Sequence, residues 1–340
     1  MKPKGTLRLI SLILALFFLT AGHVEAESLS LDGAKKEGAL LIYHSPNLED
    51  IKKLMDKFHE RYPFIAVQQY RSSVTSLYPR IRMEAKAGVY KPDVIILNAI
   101  YNYLLKKEGL LRAYDVPERK SIRRELLFPG GYYDPLFMNT YVMAYNTRLV
   151  PPDKAPKTYQ DLLDPRWKGN ICIVGTIYEW YLGMQKYLKE DTADNYLRKL
   201  SGQDVIVRSD RTLVAQLLAA GEYSIAVGVY ANEIEKLKSD HAPIEWVAAS
   251  PVVANMPSLS LASHAPHPNA AQLFINFALS KEGQTVVRDF KRIPVRQDVK
   301  PLNPRMVDGI DLVAIPPESV EKFDEVAKKF RSIFKSAKAK

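Results

Sequence analysis

The feature that most constrains the fold is an alternation of short apolar runs with stretches of helical period in the first third of the chain. Ala39 to His44 (ALLIYH) reads as a strand, and Leu48, Ile51, Met55, Phe58 and Tyr62 follow at helical spacing. Ser45 and Pro46 between them suit an N-cap and a first helical residue. Ile65 to Tyr70 is the next strand, followed by Arg71, Ser72, Ser73 and a helix through Leu77, Ile81, Met83 and Glu84 that Gly88 closes. Asp93 to Leu97 (DVIIL) is a third strand, with Leu104, Leu105 and the turn at Gly109 after it. Strand and helix alternating at this spacing imply parallel pairing in a sheet covered on both faces. Ligands of such sheets bind beyond the carboxyl ends of the strands, where loops and helix N-termini converge. That rule selects Ser45 to Asn47, Arg71 to Ser73 and Asn98 to Tyr101.

At 340 residues the chain is long enough for two domains of ordinary size. Its first 26 residues read as a cleaved secretory signal: Lys2, Lys4 and Arg8, the apolar run Leu9 to Leu19, then Val24-Glu25-Ala26. The run is too short for a membrane span, which needs about 20 apolar residues. The expected address is the periplasm, with no cysteine at the cleavage site for a lipid anchor. The chain is basic, with a formal charge of +10. Its lysines and arginines are scattered except in the tail, at Lys328, Lys329, Arg331, Lys335, Lys338 and Lys340, which reads as a solvated helix face. No nucleic-acid partner is expected.

Catalytic signatures are missing from the sequence. Glycine-rich phosphate loops, HExxH, CxxC and nucleophile elbows are all absent. Cys172 is the sole cysteine, set in Ile171-Cys172-Ile173-Val174, which excludes an intramolecular disulfide and a thiolate zinc site and suggests a buried strand. His23 falls in the leader, and His44, His59, His241, His264 and His267 show no metal-ligand spacing on one helix. The expectation is a protein without enzymatic activity, resident metal or cofactor.

Further along, Tyr141 to Asn146 is a strand leading into Pro151, Pro152 and Pro156, which look like a crossing between domains. Gly169 to Val174 and Val205 to Val207 are strands, and Leu213, Leu217 and Leu218 mark a helix. Asn255 to Leu261 reads as a return strand, giving crossings near 141–147 and 256–262. Pro268 suits a first helical position, with Ala271, Phe274, Ile275 and Ala278 forming one apolar face, and Ser280 can cap the next helix. Arg71, Ser72, Ser73 and Thr75, with Arg208, Ser209 and Arg211, offer hydroxyls and guanidinium groups at helix starts, an outline of a carboxylate or phosphate site. Tyr178, Glu179, Trp180 and Tyr181 suit an aromatic wall with an acid to meet an amine, or else the buried face of a helix. Tyr132, Tyr133, Tyr141 and Tyr230 are the phenols to suspect if iron is bound.

Three phrases carry a family resemblance. Ser263 to Gln284, SHAPHPNAAQLFINFALSKEGQ, resembles the family stretch HPNAAKLFINFLLSKEGQ; Thr158 to Gly169 resembles P-x-T-W-x-D-L-L-D-P-K-W-K-G; and Gly221 to Ala226 resembles G-E-x-x-I-A. The chain, over about residues 34–300, is identified as a member of the periplasmic solute-binding proteins of ABC importers, in their ferric-ion-binding branch. The resemblance implies an α/β, two-lobed, type II binding protein, each lobe a mixed, mostly parallel sheet flanked by helices and joined by hinge strands. Its expected parts are a leader (1–26), a first lobe with C-terminal helices (27–143 and 259–340) and a second lobe (144–258). It also implies a monomer that hands a small ligand to a membrane ABC permease. Ferric members hold the metal on an adjacent tyrosine pair after the G-E-x-x-I-A strand, with a histidine and a glutamate from the first lobe. Here Tyr230 is followed by Ala231, the acid position falls near Asn98, and the histidine position near Asn47 or His44. A bare trivalent ion needs several anionic oxygens. The expected ligand is therefore a small organic or phosphorylated anion, with ferric iron as the alternative. The expected ligand-binding set is Ser45, Asn47, Arg71, Ser73, Asn98, Tyr133, Tyr178, Glu179, Arg208, Ser209 and Tyr230.

Overall fold

The computed structural model describes residues 31–334. The leader at 1–26, with His23, and the tail residues Lys335, Lys338 and Lys340 lie outside the described residues. In chain order the strands are β1 (Ala39–His44), β2 (Ala66–Arg71), β3 (Val94–Asn98), β4 (Leu111–Arg112), β5 (Asp134–Pro135), β6 (Phe137–Asn146), β7 (Ile171–Val174), β8 (Ile206–Arg208), β9 (Ile225–Tyr230), β10 (Ile244–Val247), β11 (Val252–Asn255), β12 (Pro257–Ala262), β13 (Ile293–Pro294) and β14 (Leu312–Ala314). The helices are α1 (Leu31–Glu37), α2 (Leu48–Arg61), α3 (Val74–Lys86), α4 (Ala99–Lys107), α5 (Tyr178–Leu188), α6 (Glu190–Ser201), α7 (Arg211–Ala220), α8 (Ala231–Ser239), α9 (Pro268–Leu279), α10 (Lys281–Asp289) and α11 (Phe323–Ile333).

The first sheet runs β2-β1-β3-β12-β4, with β5 beside β12. β1 is parallel to β2 and β3, whereas β12 returns antiparallel to β3. The second sheet runs β14-β11-β6-β9-β7-β8, with β10 and β13 also paired to β6. β7 is parallel to β8 and β9, and β6 is antiparallel to β9. The apolar alternation thus builds the expected two-lobed α/β architecture.

Local chemistry sets the helix starts. Pro268 occupies the first turn of α9, and Ser280 caps α10 by accepting from the Gly283 N–H at 3.2 Å. α9 is buried on more than one face, since Ala270, Leu273 and Phe277 are buried along with Ala271, Phe274, Ile275 and Ala278. Phe58 of α2 meets Phe274 and Phe277 edge-on, at 5.2 and 5.5 Å between ring centres. The cap of α2 is not Ser45 but Asn47, whose Oδ1 accepts from the N–H groups of Glu49 and Asp50. An asparagine two residues on offers the better-placed acceptor, so the helix starts at Leu48.

The crossings between lobes lie side by side. β5 belongs to the first sheet and β6 to the second, so the first crossing is at Leu136, upstream of the expected 141–147. The second is at Met256, between β11 and β12. Leu136 N–H donates to Pro257 O at 2.8 Å. Buried Gln284 binds the carbonyls of Leu136 and Ala278 through Nε2, and its Oε1 accepts from Val295 N–H at 2.9 Å. The chain after α10 is not confined to the first lobe as the expected boundary at 259 had it. β13 and β14 extend the second sheet, because Leu312 to Ala314 pair in parallel with Val252 to Ala254. Phe323 then lies between Tyr101 of α4 and Tyr178 of α5, at 6.3 and 5.6 Å, touching both lobes. No helix among the described residues is long and apolar enough to cross a membrane.

Candidate functional site

The space between the lobes is shaped first by a glycine. Met143 pairs with Val227 and Val142 with Val229, which leaves Gly228 as an extra residue in β9. It adopts φ +85°, and a Cβ there would lie 2.6 Å from Ile177. The resulting bulge re-aims the end of the strand, and Tyr230 sets its ring 5.0 Å from Tyr141 of β6. The Gly228 carbonyl accepts from Nε of Arg211 at 3.0 Å. The Arg211 guanidinium in turn lies 4.0 Å from the centre of the Tyr230 ring and 5.4 Å from that of Tyr141. Burial alone would lower its pKa, but the two phenols and the carboxylates of Glu233 and Glu179 raise it instead. Burial raises the pKa of both phenols, with Glu179 adding to the shift and Arg211 opposing it.

Glu179, in the first turn of α5, joins the lobes. Its Oε1 accepts from Asn98 Nδ2 of the first lobe at 2.9 Å and from Asn255 Nδ2 at 3.2 Å, and its Oε2 accepts from Tyr141 Oη at 2.6 Å. The first turns of α4, α5 and α8 therefore converge on one buried spot. Among the described residues, neither α5 nor α8 has a side-chain cap at its N-cap, which is Ile177 in one and Tyr230 in the other. Beside this spot a cavity of about 300 Å³ opens between the lobes, lined by Asn47 and Asp50 at the start of α2, Gln216 from α7, Asn232 and Glu233 from α8, and Arg292. Arg292 ties the lobes at its edge, with Asp50 at 2.7 Å and Asn139 at 2.9 Å.

The structure brings together Asn98, Glu179 and Tyr230 of the expected set, and places Asn47 on the cavity wall as the α2 cap. Glu179 does not wait for an amine, since three donors occupy it. Ser45 uses its N–H on Ile96 O at 3.0 Å, and Ser73 caps α3 through the Ser76 N–H. Arg71 is exposed at the end of β2, in register with His44. His44 is buried, with Nε2 2.8 Å from Gln69 Oε1, and burial lowers its pKa to about 4. Ser209 is exposed and its carbonyl accepts from Thr176 at 3.4 Å. Arg208 acts electrostatically on Cys172 and Tyr223, within the second lobe. Cys172 is fully buried, and burial raises its pKa to about 11.

Two expectations change. Tyr133 packs on Phe128 at 4.9 Å and Tyr132 under Lys106 at 4.7 Å, away from the paired Tyr141 and Tyr230. The aromatic wall is internal packing: Tyr178 meets Phe323 and Phe330, Trp180 Nε1 donates to Tyr159 Oη at 3.0 Å, and Tyr181 donates to Asp194. At helical spacing on α5 these rings serve the core. Among the described residues no group of three or more His, Cys, Asp or Glu side chains could hold a metal ion. Sequence reasoning missed Asn232, Glu233, Asn255 and Arg292, which no spacing links before folding.

A relative from Salmonella typhi, provisionally named a 2-aminoethylphosphonate-binding periplasmic protein, is 29% identical over 190 residues. That match covers 51% of this chain and 54% of the relative, so the chain spans about half the length of the curated relatives it matches first. Iron-bound HitA from Pseudomonas aeruginosa superposes with a TM-score of 0.77 at 19% identity, over 87% of this chain and 99% of that one. AfuA from Actinobacillus pleuropneumoniae, solved with fructose-6-phosphate, gives 0.76 at 22% identity, over 88% and 99%. These two establish the fold as that of the type II periplasmic binding proteins. The profile of the bacterial extracellular solute-binding proteins matches residues 90–319, from the third strand of the first sheet through the whole second lobe and both crossings, and the chain belongs to that family.

Proposed function

We propose that this is the periplasmic binding component of an ABC importer, which captures a small organic or phosphorylated anion between its lobes and presents the closed form to a membrane permease. The leader is removed on export, the protein acts as a monomer, and no bond of the ligand is made or broken. The observation that carries the reading is the convergence of two helix starts whose N-cap side chains make no capping bond, α5 and α8, on half-buried Arg211. Free N–H groups, the helix dipole and a guanidinium together favour an anion. The named ligands of the phosphonate and fructose-6-phosphate relatives are of this class. Closure follows because a ligand touching both lobes prefers the state in which they meet.

The Tyr141–Tyr230 pair beside Glu179 favours a second reading, ferric iron, which is the ligand of the HitA structure. Against it, burial holds the protons on both phenols and Arg211 adds positive charge where a trivalent ion would sit. A thermal-shift titration separates the two. A ligand bound only by the folded state stabilises it by about 2.7 kcal/mol at a hundredfold excess over Kd. The expected result is a rise in Tm with 2-aminoethylphosphonate or a sugar phosphate. A rise with ferric citrate alone, with a visible phenolate-to-metal band that Tyr230→Phe abolishes, would establish the iron reading in its place.

A further inference from the structure

The start of α8 holds two hydrogen-bond acceptors with nothing to accept. Glu233 stands in the first turn of α8, three residues after its N-cap Tyr230. Its Oε2 is buried without a hydrogen-bond partner. Asn232, one residue earlier and only 6% exposed, likewise has Oδ1 buried and unpartnered. Both residues line the interlobe cavity, opposite Asn47 and Asp50 of the first lobe. Buried polar atoms are nearly always satisfied, and a carboxylate can only accept.

Of the cations nearby, the two arginines are already engaged. Arg211 donates to Gly228 O and lies on the Tyr230 ring, and Arg292 is bound to Asp50 and Asn139. Burial, with the charge of Asp210, raises the pKa of Glu233, and both arginines oppose that rise through space. Lys236 lines the same cavity one turn further along α8. What the two free acceptors call for is a donor that enters from the cavity, and a charged donor makes the stronger bond to a carboxylate.

We propose that Asn232 and Glu233 form an ammonium subsite, so that the ligand of this cleft is an amine-bearing anion whose primary ammonium group docks at the start of α8. The ammonium half stands on these two residues alone; the anionic half rests on the function proposed above. Glu179, with its three donors, leaves no room for the amine that its sequence position invited.

The test uses the secreted protein and two kinds of probe. Calorimetric titration compares 2-aminoethylphosphonate with ethylphosphonate, which lacks only the amine. A thermal shift compares n-propylammonium chloride with sodium chloride at equal ionic strength, probing the subsite without an anion attached. The wild type is expected to prefer the aminophosphonate by at least about tenfold and to be stabilised by propylammonium. In Glu233→Gln, which removes the charge and keeps the side chain's shape, both effects should vanish. Asn232→Ala keeps Glu233 and should lower the preference by about threefold, which covers the case in which Glu233→Gln fails to fold. Equal binding of the two phosphonates overturns the subsite and leaves the anion reading standing. A propylammonium shift without phosphonate binding does the reverse, and silence from every probe overturns both. A tenfold preference that survives in folded Glu233→Gln, or Glu233-dependent binding of fructose-6-phosphate in place of the amine, assigns the acceptors to something other than ammonium.

Discussion

Glu179 owes its place to donors that come from three separate segments: Asn98 at the end of β3, Tyr141 in β6 and Asn255 at the end of β11. Replacing it with alanine leaves these donors facing a hole, and a buried donor without an acceptor costs about 1–3 kcal/mol. Glu179→Ala is expected to lower stability in urea by about 3 kcal/mol and to loosen the lobes. A loss below about 0.5 kcal/mol would show that the lock does not form. His44 supplies a prediction in pH. Its folded pKa of about 4 lies below the ordinary 6.5, so the fold prefers it neutral. Its contribution is complete above pH 6.5 and is lost as pH falls towards about 4, by up to about 3 kcal/mol. In urea midpoints at pH 7 and 4.5, His44→Gln should show a smaller acid loss than the wild type; equal losses would mean that another group carries the effect. Asn98, Glu179 and Tyr230 were each singled out in the sequence, but not their contacts with one another, because residues as far apart as 98 and 179 meet only after two sheets have formed.

Among the elements, β9 decides the site. Gly228 is the residue that bulges, and its positive φ, its contact with Ile177 and its carbonyl on Arg211 all depend on having no side chain. Gly228→Ala is expected to destabilise by about 2–3 kcal/mol and to weaken ligand binding along with it. A near-neutral effect on both would show that the bulge is dispensable. An isolated glycine in a strand pattern hints at a bulge, but the register shift against Val142 and Met143 that makes it one belongs to the partner strand. α9 was legible for the opposite reason. Pro268 and Ser280 act within one turn of themselves, so local chemistry alone sets both helix starts. The α2 cap was misplaced because Ser45-Pro46 and Asn47 offer competing local signals, and the geometry of the first turn chooses between them.

The whole molecule is two lobes joined at Leu136 and Met256, with Phe323 of the C-terminal segment reaching across to both. The return at Met256 was legible because β12 keeps its strand chemistry. The crossing at Leu136 was not, because β6 is buried throughout and its burial pattern does not change where the sheet does. Neither was the course of the C-terminal segment, whose short strand β14 carries little signal of its own. Capture by closure requires that these crossings flex and that a ligand favour the shorter spacing of the lobes. Cys172 is fully buried, so cysteines placed at Met83, 70% exposed on α3, and at Leu213, 40% exposed on α7, can take spin labels selectively. The decisive measurement is the distance distribution between those labels by electron–electron resonance, with and without 2-aminoethylphosphonate. The account predicts that this ligand narrows the distribution onto its short-distance end. A distribution that no organic anion changes, or that ferric ion alone narrows, would contradict it.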